Sequence, residues 1–244
     1  MNRKKAKYFV ILLALGILII YPACKYALKA KDEFFYPIIV NTIPPVNNYL
    51  EKILHDFETI LKDKNTTAYN SLNQGLSTDD INQLEVKYNV KIPEEIRSLY
   101  MWHNGCSNFK DGLTCGAIIP GHWFVPLEQA LELSRKSGQP NTTFVQNIFH
   151  ECFAGHRKDW IVLLDDGCGD GYFYDPKRLS GSGYVFYHFA EISHYVFFPS
   201  LKNALQAFIE CYQKDVFKFG NEIMDIEDFE AEEKIMSKYG VSVN

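Results

Sequence analysis

The 244-residue chain has no C-x-x-C pair, and its six cysteines (Cys24, Cys106, Cys115, Cys152, Cys168 and Cys211) are scattered along it. That absence excludes a zinc ribbon and a thioredoxin-like redox site. No internal repeat is visible, and Pro 10 with Gly 15 is too little for a collagen-like or linker-like polymer. The first 25 residues contain no acid, yet they hold Arg3, Lys4, Lys5, Lys7 and Lys25. Removing those five from the 25 basic residues leaves 20 against 30 acids, so residues 26–244 carry −10. A body that acidic lacks the positive footprint needed to neutralise phosphates, which argues against direct nucleic-acid binding and favours a basic protein partner.

What the chain does have is enough apolar material for a core. Hydrophobic residues make up 47% of it, and its 18 Phe and 15 Tyr suit packed sheet better than a coiled coil. A core of that size needs no staples, so reduced and mostly buried thiols are expected. If any pair closes, it is Cys106 with Cys115, across a short loop.

From Tyr8 to Cys24 there is no charge for 17 residues. As a helix these reach roughly 26 Å, slightly short of a hydrocarbon core of about 30 Å, a gap that Lys25 can close by snorkelling. The stretch is longer than a signal-peptide core and no A-x-A site follows it, so an uncleaved single-pass anchor is expected over residues 1–25, with 8–24 in the membrane. A cleaved leader is the alternative, as is a lipidated one ending at Cys24. Lys25, Lys29 and Lys31 follow the span as other basic residues precede it, so the positive-inside rule leaves the side of the body undetermined.

Residues 26–46, with Pro37, Pro44 and Pro45, read as a juxtamembrane linker. Apolar residues spaced by three and four predict a helix over 47–62. Ser77 ahead of Asp79 and Asp80 predicts a capped helix, and Pro93 opens another over 94–103 that Asn104-Gly105 closes. A further helix is predicted over 127–136. Strands over 160–164, 171–174 and 184–189 suggest an antiparallel meander, followed by a helix over 199–214. Residues 214–244 read as an acidic tail, with seven acids and no Lys or Arg between Asn221 and Glu233 and with helical spacing at Ile223, Ile226 and Phe229.

Several ordered segments carry a resemblance. They are LNQGLSTDDINQLE at 72–85, KIPEEIRSLY at 91–100, WHNG at 102–105, PGHWFVPLEQA at 120–130, WIVLLDDGCGD at 160–170 and FFPSL at 197–201. Together they resemble the SUKH superfamily, in the branch of fungal cell-wall assembly regulators and bacterial immunity proteins, over residues 47–213. The resemblance implies an α+β domain with a largely antiparallel sheet flanked by helices and no established catalytic activity. Its signature falls on Trp102, Gly105, Pro120, Gly121, Trp160, Asp166, Gly167, Gly169, Asp170 and Asp175, which look structural, with a loop that could face a partner.

Other constellations point to chemistry only weakly. The DDGCGDG loop at 165–171, with Asp175, offers carboxylates to a hard cation, but its spacing does not match an EF-hand loop. Its Asp residues would repel a phosphate. His103 with Cys106 and Asp111 could pair base and thiol, though WHNG suits a helix end better. His150, Cys152, His156 and Cys168 lack the spacing of a closed zinc site. His122, His188 and His194 have no partner that sequence can identify. The Asn-Thr-Thr stretches at 65 and 141 fit glycosylation acceptors only in a secretory lumen.

The resulting expectation is a membrane-anchored, non-enzymatic protein-binding domain without cofactor, metal or small-molecule substrate. Its role is that of an immunity protein neutralising a basic toxin; the alternative is a scaffold or regulator of envelope assembly.

Overall fold

Helix α1 (Asn47–Lys64) buries Leu50, Ile53, Leu54, Phe57 and Leu61 on one stripe, the face its spacing predicts. It belongs to a computed structural model that describes residues 47–107, 116–137, 160–167, 170–176, 183–188, 196–220 and 223–242. The 8–24 span, the linker, Asp111, Cys115, Asn141, His150, Cys152, His156, Cys168, Gly169 and His194 lie outside these residues. Among the described residues no helix is long and apolar enough to cross a membrane.

Directly after α1, Asn65 caps α2 (Thr66–Ser71), its side-chain oxygen accepting from the Ala68 amide at 3.0 Å. The sequence reads as a polar break here, because the apolar stripe stops. What holds this helix is tertiary: Asn65 is 1% exposed and its Nδ2 donates to the Ala117 carbonyl and to Tyr212 Oη. A buried, fully engaged Asn65 is no acceptor for a glycan in the folded protein.

Strand β1 (Leu72–Gln74) leads to α3 (Thr78–Tyr88), where Ser77 and Asp80 form a reciprocal capping box. Such a cap contributes about 1 kcal/mol. Asn89 closes the helix in the left-handed conformation, φ 51°. Helix α4 (Glu94–Trp102) follows Pro93. Its end differs from expectation: the chain is already extended at His103 and enters β2 (His103–Cys106), which pairs antiparallel with β1. Backbone pairing, not a glycine cap, stops this helix.

Six strands form the main sheet in the order β10-β7-β6-β5-β4-β3, every pairing antiparallel. They are β3 (Trp123–Phe124), β4 (Ile161–Asp165), β5 (Gly171–Asp175), β6 (Tyr184–His188), β7 (Val196–Phe198) and β10 (Val241–Ser242). The predicted meander is its centre. Helix α5 (Leu127–Ser137) packs beside β4, and Ser134 Oγ hydrogen-bonds the Trp160 carbonyl. With its helices, the sheet makes the protein an α+β fold.

Helix α6 (Leu201–Gln213) lies between α1 and the sheet, capped by Ser200 and burying Leu201, Leu205, Phe208, Ile209 and Tyr212. Each large side chain so buried stabilises by about 1.5–3 kcal/mol, so packing outweighs the cap in holding α6. Tyr172 meets Phe208 edge-on at 5.2 Å from one sheet face, and Trp160, Phe173 and Phe186 cluster with one another.

Beyond residue 213 the structure departs from the expected acidic tail. A hairpin of β8 (Phe217–Gly220) and β9 (Ile223–Ile226) replaces the helical reading of Ile223 and Ile226. Helix α7 (Phe229–Tyr239) buries Ile235 and Met236 and packs on α6, and β10 then joins β7. Lys238 and Tyr239 both donate to Glu210 of α6, at 2.5 and 2.6 Å. These contacts make the segment part of one unit with the preceding residues.

Candidate protein-binding site

The signature residues fall into two groups. Trp102, Gly105, Trp160 and Asp175 are tied into the interior. Trp102 stacks on Phe124, meets His103 edge-on, lies against Phe57 and donates its indole N–H to Glu58. Gly105 has φ +66°, and a side-chain carbon there would fall 2.3 Å from the Pro126 nitrogen. Only glycine allows that approach. Asp175, 1% exposed, accepts from Trp160 Nε1 at 2.9 Å and from Tyr184 Oη at 3.0 Å.

The second group gathers at one end of the sheet. Register sets the row beside it: Trp123 faces Asp165, Asp165 faces Gly171, and Gly171 faces His188 across four neighbouring strands. Next to that row, Pro120 and Gly121 turn the chain so that Ile119 and His122 bridge. Opposite lies the β4–β5 loop. Its carboxylates brace their own backbone: Asp165 accepts from the Gly167 amide at 2.8 Å and Asp166 from the Asp170 amide at 3.0 Å. Gly167, at φ +82°, supplies the left-handed step. Among the described residues, no group of three or more His, Cys, Asp or Glu side chains is arranged to hold a metal ion.

His122 was without a partner in sequence; the fold surrounds it. Its ring stands edge-on to Tyr172 and Tyr187, at 5.5 Å from each, and its Nδ1 lies 2.7 Å from the Pro120 carbonyl. Burial pushes its pKa down, against the Pro120 carbonyl and the nearby Asp166, Asp165 and Asp170 carboxylates, which favour the charged form. The ring is therefore neutral at pH 7. Burial also raises the Tyr187 hydroxyl, as do Asp170, Asp166 and Glu232, and burial alone raises the Glu232 carboxyl. The sheet end thus sets a protonated Tyr187 hydroxyl near the loop carboxylates. Glu232 comes from α7, so sequence reading could not place it here.

Exposed acids continue along the same C-terminal segment: Asp225, Glu227, Asp228, Glu230 and Glu233, beside Phe229 at 69% exposure. Asp228 also caps α7.

The thiol chemistry considered for His103 and Cys106 is overturned. Cys106 is disulfide-bonded, which also corrects the expectation of reduced cysteines, and His103 Nδ1 meets the Asn73 carbonyl at 2.8 Å. A disulfide sulfur has no thiolate to offer. Cys211 is a buried free thiol that burial pushes up to about 12. For His188 the backbone is placed in β6, and the side chain is outside the described residues.

Among known proteins, the family model described as SMI1 / KNR4 family (SUKH-1) matches residues 75–207, from the turn before α3 to the middle of α6. No curated protein matches the chain.

Proposed function

Because the chain belongs to the SMI1 / KNR4 family (SUKH-1), we propose that it is a membrane-anchored, non-enzymatic binding domain that neutralises a basic toxin. Membership supports an immunity-protein or cell-wall-regulator kind of function. The observation that carries the narrower reading is the acidic surplus and its placement. Residues 26–244 hold ten more acids than bases, and exposed carboxylates of the β9–α7 segment adjoin an exposed aromatic ring. Complementary charge accelerates encounter with a basic protein and rejects acidic competitors.

The test is protection. A basic, toxin-like open reading frame from beside the gene is expressed with and without the full-length chain. Survival restored by the chain, and lost on Glu230→Lys with Glu233→Lys, is expected. No protection by the wild-type chain, together with envelope-synthesis enzymes recovered from the same membranes by affinity capture, would replace this reading with that of an assembly regulator.

A further inference from the structure

Cys106 lies at the end of β2, buried and disulfide-bonded. The other described cysteine, Cys211, is a free thiol, so the bridge runs to a cysteine outside the described residues. Structural disulfides persist in oxidising compartments, whereas glutathione and thioredoxin keep cytosolic thiols reduced. The apolar core above is large enough to fold unaided. The bridge is therefore no substitute for a missing core, and it marks where the chain matures.

The N-terminus supplies an independent indication. Four basic residues precede the uncharged stretch at 8–24. As a cleaved leader or a lipidated one, that stretch exports whatever follows it. As an uncleaved anchor it leaves the side open, since lysines flank both ends. The disulfide decides that remaining case in the same direction.

We infer that the folded unit lies on the oxidising, non-cytosolic side of a membrane, and that its basic partner is met there. The partner clause rests on the binding role proposed above; the location does not. A toxin intercepted at this place is one that attacks the envelope or is caught on its way inward, not one already at work in the cytosol.

Thiol trapping in cells of origin tests the location. Cells making the full-length chain are acid-quenched, denatured and treated with maleimide–polyethylene glycol, with or without prior reduction. Extra adducts are expected only after reduction, and Cys106→Ser should expose its former partner to the reagent without reductant. Cys211→Ser, which leaves the bridge alone, should lose one adduct in both conditions. In parallel, protease added to wall-stripped intact cells should digest the unit while a cytosolic marker survives. Complete labelling of wild-type Cys106 without reductant, or protection of the unit from protease, would overturn the inference. Neither readout involves partner binding, so its failure is distinct from a failed protection assay.

Discussion

Asp175 shows how much one buried side chain carries. Its carboxylate receives the Trp160 indole and the Tyr184 hydroxyl, both in the interior. Asp175→Ala would remove both of these hydrogen bonds from the interior, at about 1–3 kcal/mol each. Urea unfolding should show a loss of about 2–6 kcal/mol, and Asp175→Asn, which keeps one acceptor oxygen, should lose less. An unchanged midpoint for the alanine variant would contradict this account. Trp160 and Asp175 stand out in the sequence, but their bond is not legible there, because it depends on how the β4–β5 hairpin folds back. His122 is harder still: its neighbours come from β4, β5, β6 and the β4–β5 loop, so only the assembled register identifies them.

At the scale of elements, legibility follows locality. Helices α1, α3, α5 and α6 announce themselves through stripes and caps that lie within their own residues. Helix α2 and the short strands β1, β2, β3 and β10 do not, because partners distant in sequence stabilise them. The β8–β9 hairpin was masked by an accidental helical spacing. The α6–α7 junction makes a testable element. Lys214, Lys238 and Tyr239 hold the Glu210 carboxyl down to about 2, from an ordinary value near 4.5. A depressed folded-state value stabilises fully above the unfolded value and fades as pH falls through the folded one. Hydrogen exchange of α7 and β10 should therefore accelerate as pH is lowered from about 4.5 toward 2, after correction for intrinsic rates. Glu210→Gln should exchange faster at neutral pH and lose most of that acid dependence. A wild-type profile parallel to that of the variant would refute it.

For the whole molecule, charge is the property that sequence discloses most directly, since it needs no fold to be counted. If the acidic surface steers a basic partner, raising NaCl from about 50 to 500 mM should slow association at least several-fold while changing dissociation less. Stopped-flow measurement with the toxin of the protection assay would decide it; a salt-independent on-rate would show that the surplus plays no part in recognition.

The family match ends within α6, yet α1 lies against that helix, and α7 and β10 follow it. What is inherited as a recognisable pattern is thus smaller than what must be translated together to give a stable body. A fragment cut to the recognisable boundaries would bare the apolar flank of α6 and an open strand edge at β7, and would be a poor surrogate for the protein in any binding experiment.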